Sequence, residues 1–173
     1  TLYVKTDFSC PGSSVLSYPS VGSNGGQTSD ASYGWKCFQS FSGATAAFSS
    51  VTIWVWHPSP ASTRELLVEV YEPGPSPTVL LSSTITMVDP VNTGVTESGY
   101  MIYSYTIDIP VTNITDGWIS VQATSGGSPT FYWQNTYAIP SYPALQNGGP
   151  TASLGMCLGE AAAPVVPLSN WAF

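Results

Sequence analysis

The sequence predicts an all-β chain folded as a two-sheet antiparallel β-sandwich, jelly-roll-like, with an added N-terminal strand and C-terminal tail. Three observations carry this expectation. Apolar side chains recur with a period of two in stretch after stretch, turn residues separate those stretches at short intervals, and neither of the two runs within residues 99–123 places apolar residues at i, i+3, i+4 and i+7. The pattern is clearest across residues 99–123. There Met101, Tyr103, Tyr105, Ile107 and Ile109 share one face, and Tyr100, Ile102, Ser104, Thr106 and Asp108 the other. After a connection over residues 110–116, Ile119 and Val121 oppose Trp118, Ser120 and Gln122. The two runs are expected to form one long β-hairpin or strand pair.

In chain order, residues 1–8 place Leu2, Val4 and Phe8 on one face and Tyr3, Lys5 and Asp7 on the other, a terminal strand. Residues 9–32 are rich in Ser, Gly, Pro and Asn, with the turn signal Asn24-Gly25-Gly26, and read as a long loop. Strands follow at 33–41 and 47–57; in the second, Val51, Ile53 and Val55 alternate with Trp54 and Trp56, and Pro58 and Pro60 end it. Residues 65–72 and 79–88 are further strands around a proline-dense turn, and 89–94 form a connection to the central pair. Beyond it come a strand at 130–135, an aromatic and proline-studded loop at 137–150, and a closing strand at 153–159. Pro164 and Pro167 bar a long helix from the apolar tail. The chain thus divides into residues 1–32, a sandwich core at 33–160, and a tail at 161–173.

A chain of 173 residues suits one domain with a sizeable core. Its 3 Lys+Arg against 10 Asp+Glu, a net charge of -7, leave little with which to hold phosphates, which argues against nucleic acid and anionic membranes as partners. Charged residues make up only 8% of the chain, against about a quarter in ordinary soluble domains, so glycans or a partner should cover part of its surface. No run approaches the roughly 18 apolar residues of a membrane span. The start at Thr1 reads as a processed polypeptide, and a secreted, extracellular or cell-surface location is expected.

Cys10, Cys37 and Cys157 fit no metal-ligand spacing. Cys10 and Cys37 flank the Ser/Gly-rich loop and are the expected disulfide, leaving Cys157 as a small buried hydrophobe.

The order of motifs over residues 47–159 resembles a jelly-roll β-sandwich domain that recurs in secreted, often multidomain, bacterial proteins. Its carriers are SSVTIWVW, LLVEVYE before a Pro/Gly turn, GYMIYSYTIDIP, GWISVQA, FYWQNT, SYPALQNGG and the closing LGMCLG, of which GWISVQ and the Cys157 strand are the most specific. The resemblance implies a non-catalytic accessory, adhesion or surface module and carries over no catalytic residue.

The residues themselves offer no catalytic constellation, and an enzyme is not expected. His57, the one histidine, sits at a strand end before Pro58, and a lone histidine excludes a His-based zinc site. A glycosidase pair drawn from Glu65, Glu69 and Glu72 would need a cleft between two carboxylates at a set separation, and solvated strand positions account for these residues. No cofactor is expected: Asp30, Asp89, Asp108 and Asp116 lie in or near loops where a structural calcium would sit, but no DxDxDG-type run exists. Asn113-Ile114-Thr115 is an N-glycosylation sequon in an expected loop.

Two functions fit these features. The first is a structural subunit of an extracellular filament or surface layer, a partner to copies of itself through strand or tail exchange by Leu2, Val4, Phe8, Val165, Val166, Leu168, Trp171 and Phe173. The second is a carbohydrate-binding module that stacks a polysaccharide on Trp54, Trp56, Trp118, Trp133, Tyr137 and Tyr142, since pyranose C–H faces match aromatic planes. Trp118 and Trp133 are expected side by side.

Overall fold

The chain folds as two antiparallel β-sheets packed face to face, as the period-two pattern predicts. The structure, a computed structural model, describes residues 8–20, 25–57, 64–74, 76–88, 90–124, 131–136 and 144–162. Its strands are β1 (Ser14–Tyr18), β2 (Gly26–Thr28), β3 (Cys37–Ser42), β4 (Phe48–His57), β5 (Arg64–Tyr71), β6 (Val79–Val88), β7 (Val91–Glu97), β8 (Tyr100–Thr112), β9 (Asp116–Ala123), β10 (Tyr132–Gln134), β11 (Ala144–Gln146), β12 (Gly149–Thr151) and β13 (Met156–Glu160). A 3-10 turn spans Ala31–Tyr33.

The first sheet is built on β4. On one side β4 pairs with β8, which pairs with β7; on the other, β13 and β10 lie end to end along it, with β1 outside β13 and β2 outside β10. The second sheet runs β12-β11-β3-β9-β5-β6. Alternation sends Val51, Ile53 and Val55 of β4 and Tyr105, Ile107 and Ile109 of β8 into the space between the sheets, where they meet Leu66, Val68 and Val70 of β5 and Ile119 and Val121 of β9. Phe48, Phe131 and Trp133 fill the same core, and the Trp133 indole N–H donates to the Gly155 carbonyl at 2.7 Å where β10 and β13 meet. Truncating one of these fully buried side chains to alanine costs about 2–5 kcal/mol.

Five expectations are corrected. β8 and β9 form no hairpin: β8 belongs to the first sheet and β9 to the second. Each run has one apolar face, and two such faces are buried equally well by facing each other across a sandwich. Their connection over 113–115 contains no two-residue hairpin turn, and Ile114 packs against the core as the chain crosses between layers. The stretch 9–32 is not a plain loop, since it supplies β1, whose Leu16 and Tyr18 are buried, and β2. Likewise β7 begins within the expected connection 89–94, and β11 and β12, joined by an Asn-Gly turn, replace the second half of the expected loop 137–150.

The fifth correction is the disulfide, which joins Cys10 to Cys157 with Cα atoms 5.7 Å apart. Met156 and Leu158 point into the core, so Cys157 between them points out of the first sheet, where Cys10, Phe8, Trp54 and Ile102 form a second apolar cluster. Cys37 projects into the core from the opposite sheet, and the first sheet itself separates it from Cys10. Among the described residues no helix is long and apolar enough to cross a membrane.

Candidate functional site

The residues expected to stack on sugar occupy very different places. Trp133 is fully buried in the core and Trp54 is 3% exposed beneath Phe8, whose ring stacks on it at 5.6 Å, so neither offers a ring face. Trp56 is half-buried, yet its two faces are taken by Tyr132 at 4.1 Å and Tyr100 at 5.4 Å, a cross-strand ladder over β10, β4 and β8. Trp118 lies on the outer face of the second sheet, one sheet away from Trp133 rather than beside it. Tyr137 and Tyr142 lie outside the described residues.

Of the residues expected at subunit contacts, Leu2, Val4, Val165, Val166, Leu168, Trp171 and Phe173 also lie outside the described residues. Phe8 is described, and its ring is engaged by Trp54 of its own chain. Asn113 is exposed in the connection between β8 and β9.

Trp118 therefore stands apart, and it lines an open groove. Because Ile119, Val121 and Ala123 point inward, Trp118, Ser120 and Gln122 project from the outer face of the second sheet. Across β3 the same alternation turns Phe38 and Ser40 outward, and on β11 it turns out Leu145, paired with Phe38. Opposite Trp118 stands the small Ser40, which leaves room beside the indole. The result is a groove of about 410 Å³ lined by Lys36, Phe38, Pro77, Trp118, Leu145, Asn147 and Gly148.

Its rim is pinned by the turn between β11 and β12. Asn147 and Gly148 both adopt left-handed backbone, φ 49° and 82°, as an Asn-Gly hairpin turn requires. The Asn147 side chain accepts from the Lys36 backbone N–H at 2.7 Å and donates to the Gly34 carbonyl at 2.9 Å, while its own N–H donates to the Lys36 carbonyl. Lys36 is thereby fixed where it leaves the groove.

The Lys36 ammonium lies over the Phe38 ring at 5.3 Å, donates to the Tyr71 hydroxyl at 3.1 Å and is ion-paired with Glu69. Tyr71 donates in turn to Glu69 at 2.7 Å. Burial favours the neutral forms of both ions, but the hydrogen bonds and charges they exchange outweigh it: Lys36 is held above its ordinary pKa and Glu69 below. Both are charged at neutral pH, and their charges cancel. Burial, then the bond to Glu69, raises the Tyr71 phenol, which stays protonated.

Glu69, weighed from the sequence as half of a glycosidase pair, is thus a partner of Lys36, and Glu65 accepts from Thr124 at 2.6 Å. Asp30 accepts from the backbone of Ser32 and Phe131, and Asp116 from Ser42, Thr115 and Gly43. Among the described residues no group of three or more His, Cys, Asp or Glu side chains is placed to hold a metal ion. Cys37 donates to the Thr28 carbonyl at 3.1 Å, and burial pushes its thiol up to about 12.

The sequence does not single out Phe38, Leu145 or Lys36, and it marks Asn147-Gly148 only as a turn signal at the end of the 137–150 loop. Alternation around Phe38 was the available signal, but its outward direction depends on knowing that Gln39 is buried. Gln39 occupies a core-facing position by accepting from the Leu154 N–H at 2.6 Å. Comparison with protein-family models, curated proteins and solved structures finds no match for this chain.

Proposed function

We propose that this domain is a non-catalytic carbohydrate-binding module whose site is the groove on the outer face of the second sheet. The observation that carries the reading is the groove's composition: one partly exposed indole, Trp118, with apolar pads from Phe38, Leu145 and Pro77, bordered by Lys36. Apolar surface of this shape suits the C–H face of a pyranose ring, and the amide of Asn147 and the Lys36–Glu69–Tyr71 cluster offer partners to hydroxyls. The Cys10–Cys157 disulfide suits an oxidising, extracellular setting. Titration of the protein with soluble polysaccharides, followed by tryptophan emission and calorimetry, tests the reading. Binding to the native protein that Trp118→Ala loses supports it; a flat response across the panel removes it.

A second reading, self-assembly, draws on a different feature. β6 is a ten-residue edge strand bearing Val79 and Leu80, each 45% exposed, and such an edge invites pairing with another copy. Light scattering of the purified chain decides it: large particles support assembly and a monomer excludes it.

A further inference from the structure

Resting on the reading of the groove as a glycan site, we infer that the site continues along β9 to a second aromatic subsite formed by Trp35 and Tyr33, and so takes an extended, neutral oligosaccharide rather than a single terminal sugar. Trp118 and Gln122 both project from the outer face of β9, about 13 Å apart along the strand, with Ser120 between them fully buried. At the far end the Gln122 side-chain amide donates to the Trp35 carbonyl at 2.7 Å, which fixes the Trp35 backbone to the end of the strand's outer face.

Trp35 is 41% exposed, the most exposed tryptophan among the described residues, and Tyr33 is 53% exposed. An exposed aromatic on a mobile loop would lose much freedom on binding, but this backbone is held on every side. The N–H groups of Tyr33 and Trp35 both donate to the Asp30 carbonyl, that of Gly34 donates to Ala31, and Asn147 holds Gly34 and Lys36. Rings presented on a pre-ordered backbone give up little on binding.

Between the two aromatic ends lie Lys36, Glu69, Tyr71 and Gln122, a run of donors and acceptors without net charge. A neutral sugar chain meets partners there for its hydroxyls. A uronate polymer would meet a lysine already paired, on a chain whose net charge is -7.

The test is calorimetry with neutral cello-, xylo- and manno-oligosaccharides from disaccharide to hexasaccharide, on the native protein and on Trp118→Ala, Trp35→Ala and Tyr33→Ala. The inference expects affinity to climb with length in the native protein. It also expects Trp35→Ala to weaken the longer sugars by roughly threefold to tenfold while sparing the disaccharide, with Tyr33→Ala weaker in the same sense. If Trp35→Ala and Tyr33→Ala keep the native length dependence while Trp118→Ala abolishes binding, the second subsite is wrong and the groove stands. If no sugar of the series binds the native protein, both fall.

Discussion

The ammonium of Lys36 and the carboxylate of Glu69 are ion-paired across the outer face of the second sheet, where Ser120 of β9 stands in register with Glu69 on one side and with Phe38, two residues beyond Lys36, on the other. This pair sets the electrostatic character of the groove beside Lys36, and its titration has a definite sign. Glu69 is held below its ordinary 4.5, so its contribution is fully present above that value and is lost as pH falls through the folded value. Lys36 is held above 10.5, so its contribution is fully present below that value and is lost as pH rises through the folded one. Glycan affinity is expected to stay flat from about pH 5 to pH 9 and to change only outside that window. A titration midpoint near pH 7 in calorimetry would contradict this.

Removing one partner exposes what the pair does. Glu69→Gln is expected to cost less than about 1 kcal/mol of stability, because the pair is partly exposed and screened. It also frees the ammonium, so the variant should gain salt-sensitive retention on an acidic polysaccharide column that the native protein lacks. Equal elution of the two proteins would show that Glu69 does not neutralise Lys36.

The Cys10–Cys157 bond closes a span of 147 residues and ties the segment before β1 to β13. Chain entropy for a loop of that length amounts to roughly 5 kcal/mol, an upper figure because the unfolded chain retains structure. Cys10→Ser with Cys157→Ser is expected to lower the melting temperature on the order of 10 °C. It should also redden tryptophan emission as Phe8 lifts from Trp54. An unchanged melting curve would contradict the structural role given to this bond.

Cys37 provides an independent check on the pairing. With its thiol raised to about 12 by burial, it is expected to resist alkylation in the native protein at pH 8 and to react once the chain is unfolded without reductant. Peptide mapping should find the label on Cys37. A label on Cys157 would restore the pairing of Cys10 with Cys37.

Gly117 precedes Trp118 where β9 runs close to β5. A Cβ there would clash with the backbone carbonyl of Tyr71 and stand 3.2 Å from the Phe41 ring. Gly117→Ala is therefore expected to destabilise by about 1–3 kcal/mol, measured as a lower urea midpoint with unchanged slope. A midpoint equal to that of the native protein would mean that β9 can shift away from β5 at no cost.

The strands that alternate strongly were legible in the sequence: Val51, Ile53 and Val55 do face the core, with Trp54 and Trp56 on the opposite side. Which layer each strand joins was not, because alternation defines a face and says nothing of its neighbour; hence the expected hairpin of β8 with β9. Short strands such as β2 and β11 are held by tertiary pairing rather than by their own pattern, so a Gly-rich or Pro-rich stretch conceals them. Trp118 was among the expected sugar-stacking residues. Its companions Phe38 and Leu145 come from strands distant in sequence, and only the register of β11, β3 and β9 brings them together.

The central claim is that the Trp118 groove holds a glycan, and calorimetry of the native domain beside Trp118→Ala against neutral polysaccharides tests it most directly. The account predicts saturable binding by the native protein, weakened at least tenfold in the variant with its melting temperature preserved. Equal affinity in both proteins, or no heat with any polysaccharide, would contradict it.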